Sequence, residues 1–341
     1  MRYTTILCFP LRFAVGLMLL SLASCGSFIQ TVNGKINGKV IRGVLPHEHI
    51  VTNFSGANKI LENPTETTAA IRRIMPHLDS LKAQGVNTLF ECTPRYIGRD
   101  VALLKLLSDK AGINIITNTG WYAAVDKKYL PAEAFRWSED EIAQHWMNEF
   151  LKGIGDTGIK PGFIKLGVGD GRLDTIEAKL LRAAIQVSHS TGLTIAVHTG
   201  DGIAAKDELA IAIEKGLKPG KLIWVHAQNG TDAEREELAK QGVWISLDGI
   251  SETTIQNYLK QITYLKRNKL TSRLLISHDD GWSVLTNGTY GELELFKNGN
   301  SSPYQTINKR LIPLLLADGF THKEINRIMH KNPAKALSLS R

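Results

Sequence analysis

The chain has 341 residues, of which 43% are hydrophobic, 7% aromatic and 22% charged, with a formal net charge of +8. That apolar fraction suits one large core or two modest ones and excludes a disordered chain. The Lys and Arg residues are scattered rather than drawn into a stripe, which excludes nucleic acid as a partner, and three cysteines give no disulfide framework.

In chain order, the first segment stands apart. "MRYTTILCFPLR" carries Arg2 and Arg12 and no acid, and the twelve-residue apolar run "FAVGLMLLSLAS" follows, ending at Cys25. The run is shorter than the roughly 20 residues of a spanning helix, so it reads as a secretory signal. "LASC" at 22–25 resembles the bacterial lipobox, in which cleavage leaves an acylated cysteine. The organisation expected is a lipoprotein signal over 1–24, a lipidated tether from Cys25 to 31, and one domain over 32–341. Such a protein is exported to the periplasm and anchored to the membrane only by its lipid; Gly26 after the cysteine favours the outer membrane. Removal of Arg2 and Arg12 with the leader lowers the charge from +8 to +6, and only Cys92 stays free in the folded domain.

"TVNGKINGKVIRG", with its Asn-Gly pairs, predicts a short hairpin leading into the body. From there β-rich apolar runs recur at 43–49, 86–93, 113–119, 162–168, 193–199, 221–227, 243–248 and 273–279. Helical segments separate them. "SEDEIAQHWMNEFLKG" opens on a Ser138/Glu141 capping box and stops at Gly153, "DTIEAKLLRAAIQVSHSTG" opens on Asp174 and Glu177, and "THKEINRIMHKNP" opens on Thr321 and Glu324 before Pro333. Strands apolar on both faces, alternating with helices, pair in parallel, and eight such units predict an α/β single domain, a (β/α)8 barrel. A doubly wound sheet would want a Gly-rich loop after its first strand, which "PHEHIVTNF" is not. Residues 120–140 and 280–305 are the two long loops.

In such a barrel the functional groups gather at the C-terminal ends of the strands. Reading those ends gives His47 and His49 on the first strand, His198 on the fifth, His226 on the sixth and Asp279 on the eighth, with Lys165 within the fourth. Alternation turns Glu48 away from this cluster, and His278 should point opposite to Asp279. One strand-end histidine is more often structural than a ligand, but four with an aspartate, spread over four units, are hard to assign to packing. A charged, unpaired Lys165 inside "GFIKLGV" would cost several kcal/mol. Either it reaches up to the barrel mouth, or burial lowers its pKa and the neutral amine captures carbon dioxide, becoming an anionic carbamate that can bridge two cations.

Taken together, "GVLPHEHI", "GDTGIKPGFIKLGV", "IAVHTG", "WVHAQ", "LLISHDDGW", "GRDV" at 98–101 and "NPAKALS" resemble the motifs of the phosphotriesterase-like branch of the amidohydrolase superfamily, over about residues 32–338. The resemblance implies two divalent cations, zinc first and manganese, iron or cobalt also accepted by such ligands. One would be held by His47, His49 and Asp279 and the other by His198 and His226, with Lys165, as N6-carboxylysine, and a hydroxide bridging both. "TGWY" is similar to the third-strand T-G-x-Y of the family's lactonase-like members, which places Tyr122 at the substrate, although a one-residue slip would put Trp121 there. Trp282 and the loop after it are expected to shape the leaving-group pocket. The function implied is hydrolysis of a lactone or carboxylic ester by the bridging hydroxide, with Tyr122 at the developing oxyanion and Asp279 passing the proton to the leaving oxygen. The alternatives are a phosphotriester hydrolase with the same site, a mononuclear deaminase-like hydrolase using His47, His49, His198 and Asp279, and a non-catalytic binding lipoprotein. A small-molecule substrate and a homodimer, the family's usual state, complete the expectation.

Overall fold

A computed structural model describes residues 1, 27–60, 67–285, 292–296 and 298–339. The signal segment from residue 2, Cys25 and Gly26 lie outside the described residues. The predicted hairpin forms from Phe28–Thr31 and Gly34–Asn37, paired antiparallel.

Eight parallel strands follow: β1 Val44–Glu48, β2 Thr88–Glu91, β3 in two pieces Asn114–Ile116 and Asn118–Thr119, β4 Phe163–Val168, β5 Ile195–Thr199, β6 Leu222–Val225, β7 Trp244–Asp248 and β8 Leu274–Ser277. Each is followed by a helix: α1 Thr67–Ala83, α2 Val101–Ala111, α3 Glu139–Lys152, α4 Thr175–Thr191, α5 Gly202–Glu214, α6 Asp232–Gln241, α7 Ile255–Arg267, and α8 Ile307–Leu311 continuing as Ile312–Ala317. Parallel ladders join β1 to β2 to the first piece of β3, and its second piece to β4 and on in order to β8. The ring closes between β8 and β1, where His47 N donates to Ser277 Oγ at 3.0 Å and Asp279 N to His47 O at 3.2 Å. This is the (β/α)8 TIM barrel expected, with its short N-terminal hairpin.

Side chains sort into two shells by strand alternation. Leu45, Leu89, Ile164, Leu166, Val197, Trp224, Leu247 and Ile276 face the helices, whereas Val44, Phe90, Phe163, Ala196, Ile223, Trp244 and Leu275 fill the barrel interior. Ile29 of the hairpin and Ala336 and Leu337 near the C-terminus belong to the interior cluster. The caps read from sequence are present: Ser138 with Glu141 opens α3 and Asp174 with Glu177 opens α4.

Three local features depart from a simple reading. The last helix does not stop before Pro333; it opens at Thr321, passes through a π turn over Arg327–Lys331 and continues to Ala336, so the proline falls at the start of a new segment, where its missing N–H costs little. The 120–140 loop contains a short helix, Ala132–Arg136. The 280–305 loop contributes a strand, Trp282–Val284, that pairs parallel with Val51–Thr52 and antiparallel with Leu293–Leu295. Among the described residues no helix is long and apolar enough to cross a membrane.

Candidate metal centre at the barrel mouth

β1 delivers both of its histidines to the same face by means of an irregularity. Between Leu45 and Glu48 it spends three steps against two on β2, a bulge centred on Pro46, the residue that tolerates a lost ladder bond. Strict alternation from the inward Val44 would have turned His47 outward; the extra residue turns it in, with His49 beside it and Glu48 facing away. β4 and β5 need no such device, since Lys165 and His198 alternate regularly with outward Leu166 and Val197. Just beyond β6 and β8, His226 at φ 61° and Asp279 at φ 59° sit in the left-handed region, and both side chains line the mouth.

These six side chains line one cavity of about 210 Å³, together with Cys92, Tyr122 and the apolar or aromatic residues Phe54, Ile97, Val125, Tyr129 and Phe296. His47 Nε2 and His49 Nε2 lie 3.2 and 3.1 Å from Asp279 Oδ1. The rings of His198 and His226 stand edge to face with centroids 4.4 Å apart, and His47 is 5.0 Å from His226. His47, His49 and Asp279 are close enough to hold one ion, as are His47, His226 and Asp248.

Behind the cluster, three imidazoles are fixed through Nδ1. Asp248, at the end of β7, takes His47 Nδ1 at 3.1 Å with one oxygen and His226 Nδ1 at 2.6 Å with the other. His49 Nδ1 meets Thr93 Oγ1 at 2.8 Å, and Thr93 in turn donates to Glu91. Each of these rings is left with Nε2 facing the cavity, the arrangement of metal-binding histidines buttressed by carboxylates and hydroxyls. Asp248 was not among the residues singled out from sequence. Its signal was available: it is the only acid in "VWISLD", it ends the strand, and alternation from the inward Trp244 points it to the axis.

The electrostatics agree with a cation site. Burial pushes the Lys165 ammonium down from its ordinary value, and the residue is 2% exposed with no hydrogen-bond or ion-pair partner among the described residues. Burial, with His226 and Lys165 close by, holds His198 well below the usual imidazole range. Burial opposes ionisation of Asp279, but His47 and His49 outweigh it and keep the carboxyl well below the usual range. Asp248 is likewise held down by His226 and His47 against its burial. His47 goes the other way: burial disfavours its charge, but Asp279 and Asp248 raise it to about 9. Imidazole and carboxylate donors converging on a buried, anion-rich point, beside an amine that burial drives toward neutrality, fit divalent cations.

The third-strand ambiguity is resolved by packing. Tyr122 lies over the cavity with its ring 4.9 Å from that of His198 and against Gly167, where any Cβ would overlap the ring. Trp121 faces outward into an aromatic cluster with Trp137, His145 and Trp146, so it does not line the cavity. Trp282 does not line it either. Its strand pairs with Val51–Thr52, which buries the indole between His77 and Tyr304 at 5.3 and 5.7 Å. The collar is formed instead by Phe54, Tyr129 and Phe296, whose loop positions carry no periodic signal.

The chain is 24% identical over 298 residues to the phosphotriesterase homology protein of Escherichia coli K12, covering 85% of this chain and 96% of that one. It is 24% identical to the aryldialkylphosphatase of Saccharolobus solfataricus over 319 residues, 89% and 97% of the two chains. To the N-acetyltaurine hydrolase of Mus musculus it is 25% identical over 353 residues, 93% and 99%. A model of the phosphotriesterase family matches residues 27–337, a span that holds all eight strands and every side chain of the mouth, and the chain therefore belongs to the phosphotriesterase family of hydrolases.

Proposed function

We propose that the protein hydrolyses carboxylic esters, lactones foremost, with two divalent cations at the barrel mouth. His47, His49 and Asp279 would hold one cation and His198 and His226 the other, with Lys165 between them as the carbamate; zinc is the first candidate, and manganese, iron and cobalt suit the same donors. When bound, such cations polarise the scissile carbonyl and lower the pKa of water from about 16 to near 7.

The observation that carries the carbonyl reading is Tyr122. Burial and Asp279 raise its pKa, so the phenol stays protonated across the working pH range and can donate to an oxygen that gains charge. Asp279, ionised and 3.1–3.2 Å from two imidazoles, would accept the proton shed by the nucleophilic water and pass it to the leaving oxygen. Phe54, Tyr129 and Phe296 keep water from the scissile bond and offer an apolar wall to the acyl or leaving group.

The test is a hydrolysis panel of lactones, aryl esters, N-acyl amides and phosphotriesters with metal-loaded protein lacking residues 1–24. Turnover of lactones or aryl esters, reduced in Tyr122→Phe, is the expected result; activity confined to phosphotriesters or to amides would overturn it. The phosphotriester outcome is the second reading, supported by the aryldialkylphosphatase relative. The proposal includes export, with Cys25 acylated after removal of 1–24 and the barrel displayed in the periplasm; incorporation of labelled fatty acid that disappears in Cys25→Ser checks it.

A further inference from the structure

Glu48 stands between the two β1 histidines, is 1% exposed, and turns into the closure between β1 and β8 rather than into the cavity. Its carboxylate there is fully engaged. Oε1 accepts from Ser277 Oγ at 2.7 Å, from His278 N at 3.0 Å and from His278 Nδ1 at 2.8 Å, and Oε2 accepts from Asp280 N at 2.9 Å. The two backbone donors flank Asp279, the residue whose φ of 59° an L side chain seldom adopts.

The surrounding bonds form a circuit. His278 Nε2 accepts from Ile307 N at 3.0 Å, so the ring, donating to Glu48 through Nδ1, is fixed as one neutral tautomer against the start of α8. The Asp280 carboxylate accepts from Tyr304 N at 2.8 Å and from Asn300 Nδ2 at 3.1 Å, and the Tyr304 hydroxyl donates to His49 O at 2.5 Å. His49 N donates to Asp280 O at 2.7 Å. Glu48, His278 and Asp280 lie close enough to hold an ion of their own. With their oxygens and nitrogens already matched to donors and acceptors, they form instead a rigid support behind the cavity.

We propose that Glu48 is a positioning residue for one cation alone: it holds Asp279 in its left-handed conformation, so that Oδ1 meets the Nε2 atoms of His47 and His49. The inference rests on the two-cation reading. His198, His226 and Lys165 are on β4 to β6, and none of them bonds to Glu48, so the other cation should not depend on it.

The test is zinc binding by the signal-less apoprotein, read by calorimetry and by metal analysis, in wild type, Glu48→Gln and Glu48→Asp. Wild type should take two equivalents. In Glu48→Gln, where an amide N–H₂ faces backbone donors, one equivalent should weaken by at least about ten-fold while the other keeps its affinity. Adding His198→Ala, which leaves only the His47 set, should then abolish tight binding. Wild-type affinity for both equivalents in Glu48→Gln, or equal weakening of both, would overturn the proposal. If wild type takes one equivalent, the two-cation reading fails and Glu48→Gln is judged on that one; if it takes none, both fail. Should Glu48→Gln lack a native circular dichroism spectrum, Glu48→Asp keeps the charge but draws the carboxylate back from its four donors, and several-fold weakening of a single equivalent supports the proposal while unchanged binding overturns it.

Discussion

Asp248 puts one carboxylate behind two imidazoles, and both would lose their orientation together. Asp248→Asn keeps the shape but offers only one acceptor oxygen to His47 Nδ1 and His226 Nδ1, so metal affinity or kcat should fall by about 10–100-fold. Titrating the apoprotein variant with zinc measures it. His47 supplies a pH prediction. Its pKa is raised to about 9 in the metal-free site, so the ion pairs with Asp279 and Asp248 stabilise the apoprotein fully below about 6.5 and are lost as pH rises through about 9. Metal needs the neutral ring, so loading at pH 7 should release a proton and affinity should climb toward pH 9. Calorimetry in buffers of different ionisation enthalpy shows the release, and a buffer-independent enthalpy would contradict it. At this scale the sequence disclosed the groups of the mouth, His47, His49, His198, His226 and Asp279 at strand ends and Lys165 within β4. It hid how two of them reach the mouth, because the left-handed φ of His226 and Asp279 is imposed by tertiary bonds and has no glycine to announce it.

Among the elements, the loop after β3 carries strain of the same kind. Val125, Asp126 and Lys127 are consecutive left-handed residues at φ 58°, 51° and 60°, a cost of roughly 1–2 kcal/mol for each L residue. Lys127 anchors this turn to the start of α4 through Asp174 at 2.6 Å and Glu177 at 3.0 Å, while Ala123 N and Ala124 N both donate to Gly167 O. The result is an exposed Val125 at the rim of the cavity. Val125→Gly relieves the backbone and removes an apolar wall, so Tm should hold or rise while KM for an aryl ester rises several-fold; a scanning calorimeter and steady-state kinetics separate the two effects. Gly167 supports the same loop from below. Gly167→Ala drives a methyl into the Tyr122 ring, and kcat should fall by about 10-fold or more with little change in metal content. Neither feature was legible: "AAVDKK" reads as an ordinary polar loop. The eight strands and the capped helices were legible because their buried faces and their Ser, Asp and Thr caps are written locally.

For the whole molecule, the rhythm of eight units was enough to fix the barrel, whereas the packing of Trp121 and Trp282 depended on neighbours far along the chain. Arg99 shows that dependence in energetic form. From the "GRDV" stretch it reaches Glu149 on α3 at 2.7 Å and Asn118 O on β3 at 2.5 Å, almost fully buried. Burial would raise the Glu149 carboxyl, but Arg99 outweighs it and the pKa is lowered. A depressed carboxyl stabilises above its unfolded value, about 4.3, and that contribution is lost as pH falls through the lower folded value. Arg99→Met should therefore destabilise by about 3–5 kcal/mol at pH 7, by leaving Glu149 buried and unpaired, and by less near pH 4 as the carboxyl protonates. Urea unfolding at the two pH values checks the sign.

The closure between β8 and β1 has a consequence for the life history of the protein. His47 bonds to Ser277 across 230 residues of chain, so the cavity cannot exist until the last strand has been made and has found the first. A partly made chain holds only scattered donors, and on the two-cation reading metal binding would come as the last step of folding. A chain stalled short of β8 lacks Asp279 and the closure that brings it to His47 and His49, and with them the proposed cation site.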